Sequence, residues 1–298
     1  MDDFFKSMQG IVEEAESTSI GISTLILKHT AQSTKRSEGD IIAQMLGKLS
    51  VMKQAVKDGC AKDLRSISGI TGDMAFQVKE RFDNEKGFCG RFIGEIIYNS
   101  LAVMQINACM GKIVAAPTAG SCGILPGCLI ALQNHYGLSD RRLVDGMLNA
   151  SAVGMVIAKN ATLAGAEGAC QSECGSAAAM TASAVTELMG GTPTMCGHAA
   201  AQALKSLMGL VCDPVAGLVE EPCIIRNPTS AMVALCSAEM SLAGIESLIP
   251  VDEVIITMGI VGKQIPESLR ETAEGGIAIC KTAKKIEKLL EDELEEMS

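Results

Sequence analysis

Apolar residues recur at helical spacing near both ends of the chain. Ile41, Ile42, Met45, Leu46, Leu49, Met52 and Val56 fall on one face, which predicts an amphipathic helix with Asp40 as its N-cap and Gly59 as its stop. Near the other end Ile286, Leu289, Leu290, Leu294 and Met297 form a second stripe, while Lys281, Lys284, Lys285, Lys288 and a run of acids take the other faces. One packed stripe and one solvated face are expected there, with the acidic end fraying. Between them, residues 100–250 are poor in charge and rich in Ala, Gly, Ser, Cys and Met. Small side chains let helix backbones approach closely, so this stretch predicts the buried heart of a helical domain. Residues 251–258, bracketed by Pro250 and Gly259, are the best candidate for a strand, a short edge strand because Asp252 and Glu253 interrupt it. Gly59, Ser66, Ser68, Gly69 and Gly72 cluster where a boundary is expected near residues 59–73.

Composition narrows the partners. A net charge of −10 and a pI near 4.9, with six Phe, two Tyr and no Trp, give nothing that attracts or stacks on nucleic acid. Residues 113–132 carry no charge, but Pro117, Pro126, Gly120, Gly123 and Gly127 break the run, so a buried loop plus helix is expected and no membrane span. Twelve cysteines in 298 residues would suggest disulfides in a small secreted domain. This chain has the length for a full core, and Met-Asp-Asp-Phe-Phe-Lys lacks the basic and apolar regions of a signal peptide. A reduced cytoplasmic setting is the expectation.

Candidate chemistry concentrates in three places. Residues 115–127 form a glycine-punctuated loop in which Thr118, Gly120, Ser121 and Gly123 can aim hydroxyls and backbone N–H groups at a carboxylate; a tight turn between helices accounts for it equally well. Cys170 and Cys174 stand four apart in Glu167-Gly-Ala-Cys-Gln-Ser-Glu-Cys-Gly175, and Cys212 and Cys223 are each stiffened by a neighbouring proline. Three thiolates can hold three corners of an iron–sulfur cubane and leave the fourth iron as a Lewis acid. Structural zinc favours closer cysteine pairs, but spacing alone leaves the metal open, and Cys174 or Cys196 offers a fourth ligand for an electron carrier or sensor.

From about Gly69 to Thr282 the chain resembles the alpha subunit of the iron–sulfur-dependent L-serine dehydratases (L-serine ammonia-lyases). The resemblance runs through Asn107-Ala-Cys-Met-Gly-Lys-Ile-Val-Ala-Ala-Pro-Thr-Ala-Gly-Ser-Cys-Gly-Ile-Leu-Pro126, Gly209-Leu-Val-Cys-Asp-Pro-Val-Ala-Gly-Leu-Val-Glu-Glu-Pro-Cys-Ile-Ile-Arg-Asn227 and Glu271-Thr-Ala-Glu-Gly-Gly-Ile-Ala278. It implies an all-α, compact multi-helix catalytic domain with glycine-rich loops around a [4Fe–4S] cluster held by Cys170, Cys212 and Cys223. The chain is then one helical domain over 1–298, with an N-terminal helical segment (1–70), a cluster-binding core (71–282) and a C-terminal helix end (283–298). The implied reaction converts L-serine to pyruvate and ammonia without pyridoxal phosphate. Thr118, Gly120, Ser121 and Gly123 would take the substrate carboxylate, with Arg226 as a cationic helper. L-threonine-acting lyase and cysteine desulfidase chemistry remain neighbours.

The proton-abstracting base is the gap. Of three histidines only His198 lies near a motif, so it is the candidate. Single-chain members of the family carry a further region with a Ser-Ser-His-Thr loop, absent from this sequence. A separate beta subunit is therefore expected to complete the site; a homo-oligomer using His198 is the alternative.

Overall fold

A computed structural model describes residues 3–296. Its helices are α1 (Met8–Ser17), α2 (Ile22–Thr34), α3 (Glu38–Gly59), α4 (Met74–Asp83), α5 (Arg91–Ala108), α6 (Ile124–Tyr136), α7 (Asp140–Asn160), the short α8 (Gly165–Gly168), α9 (Ser176–Leu188), α10 (Pro193–Leu207), α11 (Cys223–Leu242), α12 (Val251–Gln264) and α13 (Lys281–Glu296). No strand occurs among the described residues; two isolated bridges, Arg65 with Gly72 and Cys212 with Arg270, are the only extended pairings there. The architecture is all-α. No described helix is long and apolar enough to cross a membrane.

The local signals explain most boundaries. Ser7, Ser139 and Thr192 cap α1, α7 and α10 through their hydroxyls, and Pro193 supplies the pre-set φ favoured at a first helical position. In α3 the cap is Ser37, not Asp40: Ser37 Oγ accepts from the Asp40 N–H at 3.1 Å and donates to the Asp40 carboxylate at 2.7 Å. Gly59 ends the helix as expected. Its Cβ-less surface lies against the Ala102 carbonyl of α5, where an added Cβ would stand only 2.1 Å away.

Residues 251–258 are not a strand. They open α12, with Val251, Val254, Ile255 and Met258 buried at helical spacing. The acids that weakened the strand reading belong to a helix start, where negative charge is favourable. Asp252 also accepts from the Met8 and Gln9 N–H groups at 2.7 and 2.9 Å, so it satisfies the first turn of α1.

The centre of the molecule is α9, packed against α6, α7, α10 and α11. Every residue from Ser176 to Thr186 is buried, and a helix without a polar face belongs inside. α3 lies further out on α5 and α7, burying Ile41, Met45, Leu49, Met52 and Val56 while Leu46 turns towards solvent. The segment between α3 and α4 is tied inward, since Ser68 Oγ (2.6 Å) and Thr71 Oγ1 both donate to buried Glu220. Residues 113–132 form the expected loop and helix, with Ile124 to Leu132 of α6 buried. In α13, Ile286 and Leu290 are half-buried and Leu289 is exposed; Met297 lies outside the described residues. That helix packs on the turn Val215–Gly217 between Cys212 and Cys223.

Candidate active site

Three separated segments deliver the three cysteines. Cys170 precedes a π-helical turn, Gln171–Gly175, that leads into α9. Cys212 sits in extended chain pinned by its N–H to the Leu269 carbonyl at 2.9 Å and by its carbonyl to the Glu271 N–H at 2.8 Å. Cys223 is the first residue of α11, where the helix start favours a thiolate. Their exposures are 3%, 2% and 7%. Burial raises the thiols of Cys212 and Cys223, the latter to about 12; the charges of Cys170 and Cys223 raise Cys212 further, and that of Cys170 raises Cys223. Cys170 goes the other way. The hydrogen bond shared with Cys174 outweighs burial, and the nearby Arg226 charge lowers it further.

Sulfur alone makes up this donor set, which suits iron–sulfur chemistry. Among the described residues no three His, Cys, Asp or Glu side chains stand close enough to hold one metal ion. A cubane asks for something different, because each thiolate binds a separate iron at a separate corner. Three buried cysteines that feel one another's charge without converging on a point fit that requirement.

Arg226 braces this arrangement. Its Nη1 donates to the Val211 carbonyl and its Nη2 to Asp213 Oδ1, both at 2.8 Å. The other oxygen of Asp213 accepts from the Ile277 N–H at 2.7 Å, which brings residues 271–278 against the cysteine loop. Gly276 has φ +60° and a Cβ there would meet Asp213 Oδ2 at 2.2 Å, so this approach needs glycine.

The glycine-rich loop turns its polar groups towards a carboxylate absent from the expected site, Glu173. Thr118 Oγ1 donates to Glu173 Oε1 at 2.7 Å and lies 3.1 Å from Ser121 Oγ. A Cβ on Gly120 would stand 3.0 Å from the same Oε1. Cys212 Sγ lies 3.9 Å from Glu173 Oε2. Glu173 is 9% exposed, and burial pushes its carboxyl above the usual range, with Glu271 adding to the shift against the Thr118 bond. Asn227 was likewise missed. Its side chain accepts from the Gly123 N–H and donates to the carbonyls of Gly120 and Cys223, all at 2.9 Å, so it fastens the loop to the start of α11. A signal for Glu173 did exist: it is an acid between two cysteines in a stretch otherwise poor in charge.

His198 stands elsewhere. It lies half-buried on α10 with Nδ1 accepting from the Ser247 N–H at 3.2 Å. Ser247 in turn bonds Lys205 and the Ile249 carbonyl, so His198 serves the connection between α11 and α12. The structure thus gathers Cys170, Cys212, Cys223, Thr118, Gly120, Ser121, Gly123 and Arg226 around Glu173 and Asn227, with His198 bonded outside that group.

Known proteins match nearly the whole chain. Residues 17–278 match the family model described as serine dehydratase alpha chain. A probable L-serine dehydratase alpha chain of Bacillus subtilis is 40% identical over 284 residues, covering 95% of this chain and 94% of the relative. The L-serine dehydratase alpha chain of Peptoniphilus asaccharolyticus is 41% identical over 277 residues, 93% of this chain and 94% of that one. A longer L-serine dehydratase of Streptomyces coelicolor is 34% identical over 278 residues, which is 92% of this chain but 61% of the relative.

Proposed function

The chain belongs to the serine dehydratase alpha chain family, and from that premise we propose that it is the cluster-bearing subunit of an L-serine ammonia-lyase, forming pyruvate and ammonia. The observation that carries the reading is the set of three buried cysteines near Glu173, a carboxylate that Thr118 holds and that lies 3.9 Å from Cys212 Sγ. Cys170, Cys212 and Cys223 would hold a [4Fe–4S] cluster, which would supply Lewis-acid chemistry to the serine hydroxyl as leaving group.

The remaining work falls to side chains. Glu173 takes the proton from Cα, and its raised pKa brings it closer to the value an efficient base needs. Thr118 fixes the orientation of that carboxylate through Oγ1. The loop of residues 118–123, fastened by Asn227, presents its turn to the substrate carboxylate. Arg226 is committed to Val211 and Asp213 and steadies Cys170 from that position, with the substrate carboxylate within its influence as a second charge. Near-complete burial of the cysteines keeps water from the reacting centre.

A separate beta subunit completes the enzyme. This is supported by the Streptomyces relative, in which the matched part is only 61% of the length, and by the bonding of His198 to Ser247 away from the cysteines. Anaerobic purification of the full chain, iron counting, a visible spectrum and a pyruvate assay with L-serine, alone and with the candidate beta chain, test the reading. Bound iron with turnover only in the mixture is expected. Full turnover by the isolated chain overturns the two-subunit arrangement, and a chain without iron after anaerobic preparation overturns the cluster.

A further inference from the structure

Cys174 has no part in the site as derived, yet its sulfur lies 3.4 Å from Cys170 Sγ. The local backbone creates the approach. Residues 171–175 form a π turn, whose compressed rise draws positions four apart closer than an α turn does. The flanks are small, Ala169 beside Cys170 and Gly175 beside Cys174. A disulfide requires the sulfurs to close to about 2 Å. Burial sets the order of events: Cys170 keeps 3% exposure and Cys174 none.

We propose that Cys174 is the resolving thiol of Cys170, turning oxidative loss of the cluster into a reversible Cys170–Cys174 disulfide. The idea rests on the reading of Cys170 as a cluster ligand. With hydrogen peroxide as oxidant, the Cys170 sulfur attacks one peroxide oxygen, the O–O bond breaks, and sulfenic acid and one water form. Cys174 then attacks the Cys170 sulfur, the S–O bond breaks and a second water leaves with the thiol proton. Two thiols lose two electrons and two protons in all, and peroxide gains them. A bridged Cys170 is shielded from the irreversible sulfinic stage and returns as a ligand when a thiol reductant opens the bridge.

The chain provides its own readout, because Glu167, Glu173 and Glu187 place glutamyl-endopeptidase cuts on either side of each cysteine. Full-length, cluster-loaded protein is treated with hydrogen peroxide until its visible absorption is lost, alkylated under denaturing conditions and digested. Fragments 168–173 and 174–187, each carrying one cysteine, should run as one joined species that thiol separates. Separate fragments bearing alkyl groups or added oxygen overturn the proposal, as does Cys170 joined to Cys212 or Cys223. In the second arm, C174A should load iron like the parent, then after peroxide show sulfinic acid at Cys170 and lose the iron recovery that thiol, ferrous iron and sulfide restore to the parent. Equal recovery by both overturns the proposal. If C174A fails to load iron, the parent's fragment map decides alone. A chain that carries no iron before oxidation refutes the ligand reading instead, and the same map still shows whether the pair bridges.

Discussion

α3 and α9 bury themselves by opposite means. α3 turns a stripe of large side chains, Ile41, Met45, Leu49 and Met52, inward and leaves the rest of its circumference to solvent. α9 is enclosed from Ser176 to Thr186 and is made of Ala, Ser, Thr, Val and one Met. Large residues on one face let a helix anchor at the edge of a core, where misfit can be relieved towards water. Small residues on every face let four neighbours close in, so any added atom has nowhere to go. The enclosed helix also carries the chemistry on its leading turn, because Cys170, Glu173 and Cys174 precede it directly. Rigidity around a site of this kind keeps reacting groups in register without a moving part.

The contrast can be broken at several strengths. The largest effect is expected from Cys170→Ser, Cys212→Ser or Cys223→Ser, each of which should abolish bound iron and pyruvate formation, whereas Cys196→Ser should retain both. Iron per chain after anaerobic purification is the measurement. Next is Glu173→Gln, expected to lower kcat by about 10²–10⁴-fold with iron content unchanged, so that iron and turnover part company. Glu173 must be ionised to act, and its folded pKa is raised. Activity should therefore fall as pH drops through that raised value, and the limb should vanish in the variant.

Packing substitutions follow. Leu49→Ala in α3 should cost about 2–5 kcal/mol of unfolding free energy by loss of a fully buried side chain. Ala178→Leu in α9 should cost about 1–3 kcal/mol by overpacking, and because α9 adjoins the site it should also lower iron retention. Denaturant midpoints with iron counts separate the two cases; an Ala178→Leu variant as stable as the parent would show that α9 is looser than its burial implies. The smallest effect is Lys48→Ala on the exposed face of α3, within about 0.5 kcal/mol.

Legibility followed the same divide. The α3 stripe was readable because water on one side makes polar and apolar positions alternate at the helical period. Its cap was misplaced by three residues, since Ser37 and Asp40 are both good N-cap types and only the backbone shows which one accepts. Residues 251–258 misled through β-branched content, and the period of Val251, Val254, Ile255 and Met258 outweighed it once α10 and α1 packed alongside.

By itself the sequence determined the helical class and the family, because local periodicity and contiguous motifs survive in one dimension. Glu173 as the partner of Thr118, Asn227 as the fastener of the loop, Arg226 as a brace and His198 as a support for Ser247 were decided only by tertiary structure. Each role depends on which segment comes within hydrogen-bond reach. Residues 118 and 173, or 123 and 227, meet only after α6, α9 and α11 have packed, and no spacing along the chain encodes that distance.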